Sequence, residues 1–294
     1  MKLNEILLEN AKKEKLFETA SSDIENYEEF LNSVISDNIR TFIGYDIADV
    51  QPLKQPTGRI FARSSRLDKF EIVSKPVTTT EKKSTIEISQ EAQDDLKALT
   101  GSDELLTNFI VAKTKRDESL ALVAALKAAA IPVNNITITG DNLDNHETNL
   151  FFISKKVNEE IAKMNKDNFK TYDAAVILPV NNAGGILGMS FTYSRSLNVV
   201  DDTNKARDYY LGSINQVSYY INPDPNETEV IITLNSKTDK GVSGLIYSPY
   251  NLIVTSSKHF ETAHSFYNVF LRDAFTINPM HNANSPFIVK FKIQ

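Results

Sequence analysis

The sequence predicts an α+β fold, elongated rather than compact, and three observations carry it. Residues 46–88 pattern as a long β-hairpin. Residues 102–130 pattern as one very long helix. A continuous apolar run, Ala174-Ala-Val-Ile-Leu178, opens a series of short strands. The 294 residues are 41% hydrophobic and 24% charged, which is ordinary globular composition with enough apolar material for a core. A net charge of −6 argues against a free-standing duplex-DNA reader, which presents a basic surface. With no Cys, there is no disulfide framework and no thiolate metal site. No apolar run reaches the roughly 20 residues needed to span a bilayer. Met1 to Ala20 alternates charged and apolar residues, so it lacks the apolar centre of a secretory signal.

Residues 1–45 read as a helical arm. Leu3, Ile6 and Leu7 make one apolar face; Ile24, Tyr27, Leu31, Val34 and Ile35 recur at helical spacing in a second helix. These faces are expected to be buried, in part against other subunits. In the hairpin, Pro56-Thr-Gly58 suits a turn, and Arg59-Ile-Phe-Ala-Arg63 reads as a strand. Ser74 to Thr85 is polar and β-leaning, with no apolar stripe. A lone hairpin is marginal in water, and its own chain offers no obvious surface for it nearby. It is therefore expected to lie across an adjacent subunit. Arg59, Arg63, Arg66 and Lys69, opposed only by Asp68, give it positive charge for that contact.

Ser89 is placed to cap a helix running to about Leu99, ahead of Gly101. Ser102 caps the next helix, which Pro132 stops. Its middle, Lys113 to Ser119, is wholly polar and reads as a solvent-facing span or a break. If continuous, it forms a rod of about 40 Å. A third helix, Glu147 to Asn165, shows a stripe of Leu150, Ile153, Val157, Ile161 and Met164, with Lys155, Lys156, Glu159, Glu160 and Lys163 away from it. The run at 174–178 is a central strand. Val217–Ile221, Glu229–Leu234, Val242–Tyr247 and Asn251–Val254 are short strands, and Phe287–Ile293 alternates as a half-buried one.

No constellation of catalytic residues emerges, so the chain does not read as an enzyme. His259 and His264 are five apart, neither a helical zinc pair nor a strand pair. Asn181-Asn-Ala-Gly-Gly-Ile-Leu-Gly188 looks like a phosphate loop but lacks its Lys-Ser/Thr and the dinucleotide spacing. Gly184, Gly185 and Gly188 are expected to hold no ligand, and no cofactor or metal is expected elsewhere. Asp201-Asp202 has no apolar residue beside it to raise a pKa.

Tyr45-Asp-Ile-Ala-Asp-Val-Gln-Pro-Leu-Lys-Gln-Pro-Thr-Gly-Arg-Ile-Phe-Ala-Arg63 resembles the segment opening the extended loop in major capsid proteins of T-even-like tailed myophages. Ala92-Gln-Asp-Asp-Leu-Lys-Ala98 is similar to the start of that family's spine helix. Asn158-Glu-Glu-Ile-Ala162 and Val176-Ile-Leu-Pro179 resemble its axial domain. Gly212-Ser-Ile-Asn215, Tyr220-Ile-Asn-Pro223 and Gly244-Leu-Ile-Tyr-Ser-Pro-Tyr250 follow in the same order. The resemblance implies the Hong Kong 97 capsid fold. It divides the chain into an arm (1–45), an extended loop (46–88), a peripheral domain with spine helix (89–140), an axial domain (141–240) and a return to the peripheral domain (241–294). It implies self-assembly into hexameric and pentameric capsomers of an icosahedral head, beside vertex, portal, scaffold or decoration proteins. Phage DNA would be enclosed without specific binding, in a virion assembled in the bacterial cytoplasm with no membrane. Gly184, Gly185 and Gly188 would lie near the capsomer axis, and Glu18 would mark a propeptide cleavage. The rival readings are an encapsulin-type cellular shell of the same fold, and an enzyme using His259, His264 and His281.

Overall fold

A computed structural model describes residues 42–63, 71–89, 91–92, 94–95, 104–136, 146–168, 173–180, 209–214, 217–236, 240–259 and 264–293. The arm residues Leu3, Ile6, Leu7, Leu31 and Ile35, together with Glu18, Arg66, Lys69, Gly184, Gly185, Gly188 and Asp201-Asp202, lie outside them.

Three helices are described: α1 (Gly44–Ile47), α2 (Glu104–Ala129) and α3 (His146–Asp167). The strands are β1 (Asp49–Val50), β2 (Thr57–Arg63), β3 (Ile72–Thr78), β4 (Thr80–Ser89), β5 (Ile131–Pro132), β6 (Asp173–Leu178), β7 (Tyr210–Ile214), β8 (Val217–Ile221), β9 (Glu229–Asn235), β10 (Leu245–His259), β11 (His264–Ile277) and β12 (Ile288–Lys292). They form a six-stranded sheet ordered β5-β12-β9-β6-β8-β7, a four-stranded sheet ordered β1-β10-β11-β4, and the two-stranded hairpin β2-β3.

Apolar β6 is central, antiparallel to β9 and parallel to β8. Every residue from Ala174 to Leu178 is buried, as expected of a strand covered on both faces. The tail strand β12 joins β9, with Phe287, Val289 and Phe291 buried. Helix α3 packs on β9 and turns Ile153, Val157, Ile161 and Met164 inward. Glu160 departs from expectation. It is buried, because Lys156 and Lys163 each reach it at 2.7 Å and cover it.

Two strand expectations need correction. Val242–Tyr247 and Asn251–Val254 are not separate; both fall within or against β10, which continues to His259. A register shift between Pro249 and Asn251 absorbs the interruption. Its partner β11 was not anticipated. His259 and His264 are therefore cross-strand partners at the far end of this ribbon, so they do form a strand pair.

Helix α2 bridges the two large sheets, packing on β4 and β11 of one and β9 and β12 of the other. It is unbroken through Lys113–Ser119, and that stretch does not simply face solvent. Ile110, Thr114, Glu118, Leu122, Leu126 and Ala130 are buried at four-residue spacing, and Ser119 is buried beside them. Polar side chains continue the apolar stripe. Two satisfy themselves within the helix: Thr114 Oγ1 donates to the Ile110 carbonyl at 2.9 Å and Ser119 Oγ to that of Lys115 at 2.7 Å. Upstream, the Ala92 N–H donates to Ser89 Oγ at 3.1 Å, the cap expected there.

Candidate functional site: the hairpin face and the ion cluster at its root

The hairpin pairs Thr57↔Thr78 through Arg63↔Ile72, so Arg59, Phe61 and Arg63 share a face with Ile72, Ser74 and Pro76. The opposite face buries Ile60, Ala62 and Val77 against Leu53, Ile246 and Tyr250. The hairpin therefore does find a surface in its own chain, on β10. Sequence reading missed it because Ile246 and Tyr250 lie nearly 200 positions downstream.

Polar contacts clamp the root. The Gln51 side chain behaves as a short strand: Nε2 donates to the Phe61 carbonyl at 2.8 Å, and Oε1 accepts the Phe61 N–H at 2.9 Å. Nε2 also reaches Asp49 Oδ2 at 2.7 Å, which accepts the Gly241 N–H at 2.6 Å. Gly241 in turn accepts the Arg63 N–H at 2.9 Å. Gly241 has φ +79°, and a Cβ there would stand 3.1 Å from the Phe61 carbonyl oxygen, so glycine is required by both backbone and space.

Of the four basic residues expected at the contact, two are described. Arg59 Nε donates to Ser74 Oγ at 2.7 Å across the hairpin, and Arg63 Nε to the Lys240 carbonyl at 3.0 Å. Both therefore brace the hairpin. Beside them and Ser74, the outward face presents two large apolar side chains, Phe61 at 54% and Ile72 at 60% exposure. Two large apolar side chains on one face of a projecting ribbon fit a surface that is covered on association.

At the root, Lys82 of β4 sits between two carboxyl groups. Nζ lies 2.7 Å from Glu118 Oε2 on α2 and 2.6 Å from Asp273 Oδ1 on β11. Both acids are buried, Asp273 completely. Burial, reinforced by the charge of Asp273, pushes the Glu118 carboxyl up to about 8, which favours its neutral acid form. The Tyr247 phenol, fully buried and pushed well above its ordinary value, adjoins Asp273. Its ring stacks on Phe275 at 5.1 Å, and Phe275 lies under the Lys82 ammonium at 4.3 Å. A cavity of about 80 Å³ opens beside the cluster, lined by Lys82, Ser84, Thr114, Asp117, Glu118 and Leu271. Glu118 falls on the buried stripe of α2, and Asp273 continues the buried alternation Tyr267, Val269, Leu271; only spacing from apolar neighbours points to either, because both side chains are charged types.

Among the described residues no group of three or more histidines and carboxylates is placed to hold a metal ion. His281 is held singly, its Nδ1 accepting the Phe287 N–H at 2.9 Å and its Nε2 facing the Ala129 carbonyl at 3.0 Å. Burial lowers its pKa, which favours the neutral ring with the proton on Nε2.

No protein-family model and no curated protein matches the sequence. Similar solved structures exist. The virus-like particle from Pyrococcus furiosus has TM-score 0.56 at 12% identity, with 90% of this chain and 99% of that chain covered. A structure of Mycobacterium phage Bobi has TM-score 0.50 at 10% identity, covering 85% and 89%. The capsid of a native GTA particle has TM-score 0.48 at 12% identity, covering 86% and 90%. The chain has the α+β Hong Kong 97-like capsid fold.

Proposed function

We propose that this chain is the major capsid protein of a tailed phage of the T-even-like group. It self-assembles through hexameric and pentameric capsomers into an icosahedral head around packaged double-stranded DNA. The observation that supports this most is the likeness to a virus-like particle subunit across 90% of the chain. The outward apolar face of the hairpin agrees with it, because a shell subunit needs many modest contacts of this kind. An acidic chain suits a container that must release its DNA, since phosphate-gripping lysines and arginines would oppose ejection. The reading has no catalysed turnover in it, no cofactor and no metal. It places the protein in the virion, with vertex, portal, scaffold or decoration proteins as further partners.

The second reading is an encapsulin-type cellular shell, favoured by the same particle from Pyrococcus furiosus. Negative-stain imaging of purified protein tests both. Closed icosahedral shells are expected, and soluble monomers under all conditions would sink both readings. Nuclease-protected DNA within shells isolated from their natural source supports the phage head; a co-purifying enclosed protein supports the cellular compartment.

A further inference from the structure

We propose that His259 and His264, opposed across the far end of β10 and β11, hold one divalent transition-metal ion between them. The site is additional to the shell reading, whose assembly requires no metal. The juxtaposition is a product of the fold. Five positions apart in sequence, the two residues match neither a helical metal pair nor neighbours along one strand. The register makes them direct cross-strand partners. Directly opposed residues of an antiparallel pair have Cβ atoms about 4.5–5.5 Å apart. Residues four apart on a helix have Cβ atoms about 5–6 Å apart. From that helical spacing two histidines ligate one zinc ion, so the cross-strand pair is at least as close. A tetrahedral ion about 2.0–2.1 Å from each ring nitrogen needs the two nitrogens roughly 3.3 Å apart, which suits imidazoles carried on such a base.

The ribbon prepares the pair. Its register runs without interruption from Asn251↔Arg272 to His259↔His264, so the whole ladder fixes the two positions. Strand β11 is held on its other side as well, where His264 is the register partner of Ser89 on β4. Ser89 is small, and its Oγ already accepts the Ala92 N–H at 3.1 Å, so it does not crowd the position beside His264. Such preorganisation lowers the ordering cost of binding. Alternation places His264 on the face of Phe266 and Asn268, opposite the buried Tyr267 and Val269, and His259 shares that face as its direct partner. Thr85 and Glu87 on the same face are exposed, so it is the open face of the sheet, where water can complete the coordination of an ion. Glu87, the register partner of Phe266, is diagonal to His264, and its charge favours a cation there. Lys258 falls on the opposite face by the same alternation. Imidazole ligands select zinc, copper or nickel over magnesium and calcium, which take oxygen. His281, engaged with Phe287 and Ala129, takes no part. A bound ion ties β10 to β11 at the last pair of their ladder.

The test is calorimetric titration of the full chain with zinc, on protein purified without a histidine tag and stripped of metal by a chelator. One zinc ion per chain is expected. His259→Ala and His264→Ala are each expected to weaken it about tenfold or more, since each removes one of two protein ligands, while His146→Ala leaves it unchanged. Excess magnesium is expected not to displace the zinc. Acidification is expected to release it, because a ligating imidazole must be neutral. Absence of saturable zinc binding overturns the proposal, and so does wild-type affinity in both alanine variants. Amide hydrogen exchange supplies a readout that needs no variant. Zinc is expected to slow exchange at least severalfold at residues 255–259 and 264–268. Unchanged exchange there, or slowing confined to other segments, overturns the proposal.

Discussion

Glu118 is the residue whose placement has the clearest consequence in solution. Its carboxyl is raised from 4.5 to about 8, first by desolvation and then by Asp273. The folded protein therefore holds a proton there that the unfolded chain gives up above pH 4.5. Stability from this group is fully present below that value, declines as pH rises, and is lost once pH passes the folded value near 8. The slope approaches about 1.4 kcal/mol per pH unit within the window. Thermal unfolding from pH 5.5 to 8 is expected to show the wild type losing stability relative to Glu118→Gln. Parallel profiles for the two proteins would mean that the carboxyl titrates normally and is not buried as described. Sequence reading did not identify this residue, and the cause is physical. In Lys113–Ser119 every side chain is polar, so hydropathy carries no period. The four-residue spacing from Ile110 to Ala130 runs through Thr114 and Glu118 regardless, because a helix buries whatever lies on its inner face.

At the scale of elements, the hairpin shows what a pattern reveals and what it hides. The alternation in Arg59–Arg63 is local, so the strand was legible, and β3 follows from its register. Polar β4 was read as part of the same hairpin, yet it leaves to pair with β11, where Arg272 meets Glu81 at 2.6 Å. Nothing local distinguishes a polar strand paired at the edge of a sheet from a polar loop. Strand β11 was overlooked although Tyr267, Val269 and Leu271 alternate with Asn268 and Arg272. The hairpin root depends on one side chain of uncharged type. Gln51→Ala removes both bonds to the Phe61 backbone and one to Asp49, each worth about 1 kcal/mol net. The expected result is faster amide hydrogen exchange in β2 and β3, with α2 and β6 unchanged. Protection of β2 equal to the wild type would show that Ile60, Ala62 and Val77 alone hold the hairpin down.

For the whole molecule, local patterns supply elements, while the Hong Kong 97-like arrangement of those elements is shown by likeness to solved structures at only 10–12% identity, and no family model or curated protein matches the sequence. Local patterns found α2, α3, β6, β8, β9 and β12, but pairing across 190 positions cannot be read from any window of the chain. In the proposed shell, assembly would cover surfaces that one subunit leaves open. The outward hairpin face is the clearest such surface, with Phe61 and Ile72 more than half exposed beside Arg59 and Arg63. Fully burying each of the two apolar side chains contributes roughly 1.5–3 kcal/mol, comparable to a modest subunit contact on its own and repeated at every subunit of a shell. Because these side chains point away from the buried face, changing them leaves Leu53, Ile60 and Val77 packed as before. The double variant Phe61→Asp with Ile72→Asp is therefore expected to fold with a wild-type melting temperature yet fail to form shells. Size-exclusion chromatography and negative-stain images measure both properties on the same sample. Normal shells from the double variant would show that the hairpin face is not an assembly surface. A collapse in melting temperature would instead show that the two side chains support the subunit itself.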